Sequence, residues 1–260
     1  MDGIKGSMFK LKLNGIFLIC LLLITSCNKN ENKEDQSFTL ISKDDFFVEY
    51  GSYEIYKDAK TKKVLNGYYV IGNGLVKWEE FNVENGVLNG IYLFYHNNGN
   101  ISIKSNYVKG KLQGEEIYYY PSGAIQQKHS YKNGVILGLQ THYYEGGQKK
   151  TESKYINGKS NESTSYDLVG NITSQSFLKD GLSIRQQIRN GKLISETISS
   201  TYDDYEAMKF YNEDGSLKHH LRMIENNEIP IIIELDDKGN EIKRLNIKEN
   251  PQKAIEYMPF

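Results

Sequence analysis

The chain has 260 residues, 38% of them hydrophobic and 25% charged, with 32 basic side chains against 33 acidic ones and a net charge of −1 at pH 7. That balance, without a basic block, gives no electrostatic footprint for nucleic acid, and two cysteines cannot build a disulfide framework. Twenty tyrosines, 23 glycines and only four prolines point to strands and tight turns rather than helices.

The first residues read as an address. Lys10 and Lys12 precede an apolar run from Ile16 to Ile24, followed by Thr25, Ser26 and Cys27. This order makes a secretory signal, too short to span a bilayer as a mature helix. Ile24-Thr25-Ser26-Cys27 resembles a bacterial lipobox, which implies removal of 1–26 and lipidation of Cys27; Met8 is an alternative start. Cys20 would leave with the signal and Cys27 would carry lipid, so the mature domain is expected to have no thiol for catalysis or metal binding. Residues 27–36 continue as a polar tether, with a reach of roughly 16–18 Å for a flexible chain. Within it, Lys33-Glu34-Asp35 is similar to the signals that send some lipoproteins to the outside of the outer membrane. The expected location is the cell envelope, lipid-anchored at the outer membrane on its periplasmic or surface face. The membrane is then a partner through the anchor.

Segment 37–64 lacks any rhythm and carries many charges; it reads as an N-terminal cap, with Asp44, Asp45, Lys60, Lys62 and Lys63 protecting a sheet edge. From 65 to 181 glycines recur in two offset series. One is Gly74, Gly99, Gly123, Gly147 and Gly170; the other is Gly86, Gly110, Gly134, Gly158 and Gly181. Each repeats every 23–25 residues, the signature of a repeat architecture. "ENGV", "KNGV", "INGK" and "KDGL" place Asn-Gly or Asp-Gly between apolar runs, the strongest short hairpin signal. "NNGN", "PSGA", "EDGS" and "DKGN" suit slightly longer turns with a left-handed glycine. The fold class is therefore all-β, an elongated antiparallel sheet of tandem hairpins. Beyond 181 the rhythm decays: Gly191 is out of phase and 45 residues separate Gly170 from Gly215. Segment 182–239 reads as degenerate repeats, with 182–214 either an insertion or a worn unit, and 240–260 as a C-terminal cap, with Pro251 among its edge-protecting residues.

Tyrosines keep phase with the glycines. Four residues before the first series stand Tyr95, Tyr119, Tyr143 and Tyr166, and a ladder of these is expected to stack across strands. In the triplet Tyr118-Tyr119-Tyr120, alternation sends Tyr119 to one face and its neighbours to the other. Tyr92, Tyr118, Tyr120 and Tyr144 are the candidate binding residues, as members of an exposed aromatic strip.

No catalytic constellation emerges, and no enzyme, cofactor or metal is expected. His96 and His142 sit beside tyrosines as surface or packing residues, and the adjacent His219 and His220 point to opposite faces, unsuited to one metal. Asp203-Asp204 and Asp236-Asp237 fall at turns, where aspartates satisfy backbone groups. Nucleophile-elbow, zinc-protease and phosphate-loop motifs are missing from the sequence.

"LNGIYLFYHNNGNISIKSNYVKGK", "LQGEEIYYYPSGAIQQKHSYKNGV" and "LGLQTHYYEGGQKKTESKYINGKS" resemble the bacterial variant of MORN repeats: a Gly, an aromatic pair, a turn Gly, an aliphatic, an aromatic and Asn-Gly. The resemblance runs from Gly67 to about Gly181. It implies a sheet of successive hairpins and a role in binding, since MORN proteins are mostly scaffolds and many bacterial variants are grouped with antitoxins. Three readings stand side by side: an envelope-anchored protein-binding scaffold, an antitoxin or immunity protein that neutralises a toxin, and a structural envelope role. In the first two the partner is another protein, a toxin or an envelope component.

Overall fold

The computed structural model describes residues 37–73, 75–226 and 229–257. The signal segment 1–26, the tether 27–36 with Cys27, and Gly74 of the turn series lie outside the described residues.

Turn chemistry sets the course of the chain. Among the described residues six two-residue turns have positive φ at both positions: Asn85-Gly86, Lys109-Gly110, Asn133-Gly134, Asn157-Gly158, Asp180-Gly181 and Asn190-Gly191. Their twist matches that of the flanking strands, and Asn-Gly adopts it with little strain. Six longer turns interleave with them, each closed by a glycine N–H donating three residues back: Gly99 to His96, Gly123 to Tyr120, Gly147 to Tyr144, Gly170 to Asp167, Gly215 to Asn212 and Gly239 to Asp236.

Between these reversals run the strands. The first three are β1 (Phe38–Ile41), β2 (Phe46–Tyr50) and β3 (Glu54–Asp58). The regular units supply β4 (Gly67–Gly72), β5 (Lys77–Glu84), β6 (Val87–Tyr95), β7 (Ile101–Val108), β8 (Lys111–Leu112), β9 (Gly114–Tyr119), β10 (Ile125–Lys132), β11 (Val135–Ile136), β12 (Gly138–Tyr143), β13 (Lys149–Ile156), β14 (Lys159–Tyr166) and β15 (Ile172–Lys179). Then follow β16 (Leu182–Arg189), β17 (Lys192–Ser200), β18 (Glu206–Tyr211), β19 (Leu217–Asn226), β20 (Ile229–Leu235), β21 (Glu241–Asn246) and one short helix, α1 (Pro251–Ile255).

From β4 to β21 the strands form one antiparallel meander, in which the short β8 and β11 pair beside β9 and β12 on β7 and β10. Segment 182–214 lies within it, since β15 to β19 pair in unbroken succession. Its Asn190-Gly191 turn comes early and the loop Thr201–Tyr205 replaces the next two-residue turn, which accounts for the 45-residue gap. Residues 241–246, expected to belong to a cap, are instead another strand of the meander.

The caps lie on a face rather than along the edges. Only β1 joins an edge, parallel to β4. The hairpin β2–β3 packs on the sheet, where Tyr56, Leu65, Ile71, Phe81, Val83 and Leu88 form a core with Phe46, Val48, Tyr69, Tyr92 and Tyr107. Phe81 and Ile71 are fully buried there; burying a side chain of that size stabilises by ~1.5–3 kcal/mol. At the other end Ala254 of α1 and Tyr257 pack on Leu221, Ile232 and Leu245. Cross-strand registers place Tyr69, Phe81 and Tyr92 on the same face as Met208 and Leu221, so both caps cover one side, called here the front.

Successive units are also tied along the Asn-Gly margin. Gly86 N–H donates to Leu65, Gly110 to Leu88 and Gly134 to Leu112. Asn89 Oδ1 accepts from Lys109 N–H at 3.1 Å, and Gln113 Oε1 from Asn133 N–H at 3.0 Å. Leu137 occupies the next equivalent position and has no acceptor to offer. At Gly110 the residue type is doubly required: φ is +77°, and an added Cβ would lie 2.6 Å from Val87 Cγ1.

Lys109 is the one turn residue in these pairs that is neither Asn nor Asp, at φ 49°. A bulky L-residue there costs about 1 kcal/mol that Asn largely avoids. Lys109→Asn should therefore raise the melting temperature by roughly 2–4 °C; an unchanged or lower value in a thermal melt would show that the turn stores no such strain.

Candidate functional site

One cross-strand row runs along the front face between the two caps. Outward from the aromatic core it reads Ser105, Glu116, His129, Gln140, Ser153, Ser163 and Ser176. Among the described residues no element packs over its middle. Short polar side chains suit a sheet with water on that side, because each hydroxyl can bond a neighbour or solvent.

The row's chemistry concentrates at Glu116 and His129, both nearly buried at 6% and 8% exposure. Ser105 Oγ donates to Glu116 Oε1 at 2.9 Å, and Tyr118 Oη donates to Glu116 Oε2 at 3.1 Å. His129 Nδ1 lies 3.8 Å from Glu116 Oε2, beyond hydrogen-bond length, and has no other partner. Its Nε2 sits 2.7 Å from the Gln140 amide nitrogen and 3.1 Å from Gln127 Oε1. A neutral ring that accepts from Gln140 leaves its proton on Nδ1, aimed at the carboxylate. Tyr118, Tyr131 and His142 surround the ring at 5.3–6.3 Å between centroids.

Burial is the largest influence on both histidines and lowers their pKa values. Glu116 partly offsets this at His129, while Lys150 adds to it at His142. Burial, assisted by Glu116, raises the Tyr131 phenol. The order along the row decides what it can do. The serine hydroxyl donates to a carboxylate, not to an imidazole, so the row contains a Ser–Glu hydrogen bond and no Ser–His pair among these residues. Among the described residues no three His, Cys, Asp or Glu side chains converge to hold a metal.

The sequence-derived candidates are dispersed. Tyr92 belongs to the hairpin-covered core, edge-on to Tyr107 at 6.0 Å. Tyr118 donates to Glu116 in the row. Tyr120 and Tyr144 stand in turns, where Tyr120 Oη donates to the Tyr143 carbonyl at 2.8 Å and Tyr144 Oη to the Tyr166 carbonyl at 2.9 Å. His96 makes the equivalent bridge to the Tyr119 carbonyl at 2.8 Å. These three side chains therefore link one unit to the next, and the structure does not gather the four tyrosines into a strip. Cys27 lies outside the described residues.

The tyrosine ladder also differs from expectation. Tyr95, Tyr119, Tyr143 and Tyr166 do not stack on one another, because equivalent positions in adjacent units are two strands apart, about 9.5 Å. Tyr95, Tyr166 and the equivalent Tyr211 instead donate to carboxylates on the opposite, back face: Tyr95 to Glu80 at 2.6 Å, Tyr166 to Glu152 at 3.0 Å and Tyr211 to Glu196 at 2.6 Å. Tyr68 also donates to Glu80. The Glu-to-Tyr spacing of 14–15 residues was present in the sequence as a signal. The turn aspartates behave as expected: Asp236 Oδ1 accepts from the backbone N–H groups of Lys238 and Asn240. His219 and His220 do face opposite ways, the first towards Glu234 and Tyr257, the second onto the Asp236 carbonyl.

Compared with known families, the chain matches the MORN repeat variant three times, over residues 88–109, 112–133 and 136–157. No curated protein matches the chain. The three matched units contain the inter-unit tyrosines Tyr120 and Tyr144, the Glu116–His129 pair and the turn glycines Gly99, Gly123 and Gly147.

Two outcomes follow from this geometry. A histidine whose folded pKa is depressed is protonated first in the unfolded chain, so stability falls as pH drops below the ordinary value of 6.5. Thermal melts should show a loss between pH 7 and 5 that His129→Gln reduces; an identical pH slope in the variant would contradict the assignment. Tyr120→Phe and Tyr144→Phe, each deleting a bridge between units, should cost ~0.5–1.5 kcal/mol in urea unfolding, whereas no loss would mean that water replaces the bridge at no cost.

Proposed function

We propose that this protein is a non-enzymatic, lipid-anchored binding scaffold of the cell envelope that holds another protein against its repeat sheet. The observation that carries the reading is the family match itself, three consecutive MORN-variant units within an uninterrupted meander. A sheet of this kind offers a broad, semi-rigid surface, and a partner that settles on it meets side chains whose rotamers are already restricted. The front row supports the same view, since its polar groups are arranged to hydrogen-bond and not to transfer a proton to a substrate. The signal-like segment ending at Cys27 supports attachment at the outer membrane. A toxin as the held protein would make the scaffold an antitoxin; an envelope component would make it an assembly factor.

The test has two arms on the full chain in its native host. Labelling with an alkyne fatty acid should mark the unmodified protein and not Cys27→Ser, which should move from the membrane to the soluble fraction. Crosslinking in intact cells should then yield a defined protein adduct mapping to residues 67–181. Label retained by the variant would sink the anchor, and turnover of a small molecule that Glu116→Gln abolishes would sink the non-enzymatic reading.

A further inference from the structure

The two-residue turns of the central units carry a second pattern. The residues that close them are cross-strand neighbours: Val108 with Lys111, Lys132 with Val135, Ile156 with Lys159 and Lys179 with Leu182. Each pair is one aliphatic and one lysine. By register all four pairs share the face of Lys104, Ile117, Lys128 and Glu152, which is the back. The pair before them, Glu84 with Val87, is acidic instead. The pair after them, Arg189 with Lys192, falls on the front, because the early Asn190-Gly191 turn reverses the phase.

These pairs are displayed. Val108, Val135 and Ile156 are 46%, 49% and 48% exposed, and the four lysines are exposed and form no ion pair among the described residues. Three exposed aliphatic side chains and the half-buried Leu182, each beside an unpaired ammonium group and all in line, complement a surface that is both acidic and apolar. Neighbouring pairs are two strands apart, which sets an interval of about 9.5 Å. An α-helix returns to the same face every seven residues, a rise of about 10.5 Å. A partner in extended, β-strand conformation fits less well, since three residues of strand cover that interval but turn alternate copies away.

We propose that this stripe on the back face docks an acidic amphipathic helix of a partner protein, with one aliphatic and one carboxylate per heptad. The proposal rests on the scaffold reading and names the chemistry of what the scaffold holds.

The full chain with Cys27→Ser would be titrated against a synthetic four-heptad peptide with one Leu and one Glu per heptad on the same face. Two control peptides are used, one of the same composition with scrambled spacing and one with each Glu replaced by Lys. The heptad peptide should bind at least tenfold more tightly than either control and weaken with added salt. Lys132→Glu with Lys159→Glu should lower its affinity at least tenfold, and Val135→Asn with Ile156→Asn should do likewise, with melting temperatures unchanged because all four side chains are exposed. Equal binding of the scrambled peptide, or insensitivity to both double variants, overturns the proposal. So does preferential binding to vesicles containing phosphatidylglycerol, to duplex DNA or to a second copy of the chain. In-cell crosslinking separates the two levels: an adduct formed equally by the double variants removes the stripe and leaves the scaffold, whereas no adduct with the unmodified chain removes both.

Discussion

Among the described residues, the twelve glycine-bearing reversals of the meander depend on residues that accept a left-handed backbone. In the two-residue turns both positions need it, and Asn-Gly supplies it at low cost. Because those turns recur at a fixed interval, each strand can pair only with its neighbours in sequence. The sheet grows by addition, and a stable array needs its terminal units covered. The hairpin β2–β3 and the helix α1 meet that need by shielding apolar side chains on the front face at either end.

The same constraint explains where polar chemistry appears. Between the caps no element among the described residues covers the front, and the row changes from Tyr69, Phe81 and Tyr92 to Ser105, Glu116, His129 and Gln140, and then to serines. The back face uses a different device, tyrosine hydroxyls donating to glutamates from a neighbouring strand. Both keep a thin sheet ordered through hydrogen bonds where a buried core is unavailable, and both leave its margins free to meet a partner.

Much of this was legible because turns are local. Asn133-Gly134 or Asn98-Gly99 declares its backbone without reference to anything distant, so strand count and direction could be read from glycine spacing. What could not be read was where side chains end. Tyr120 and Tyr144 look like a binding strip in the sequence, yet their hydroxyls reach carbonyls 23 and 22 residues on, respectively, a contact that depends on how units stack. Placement of the caps was equally hidden: charges in 37–64 suggested edge protection, but Phe46, Val48 and Tyr56 take that segment onto the face. Segment 182–214 looked irregular because one turn came early, although its strands never left the meander.

If contacts between neighbours and local cores at the two ends hold the sheet, stability must vary along it. Hydrogen–deuterium exchange by mass spectrometry on the full chain measures this directly. The account predicts slowest exchange in β4–β6 and β19–β21, under the caps, and faster exchange in β13–β16, where the front is open. Uniform protection across all these strands, lost in a single cooperative step, would contradict it.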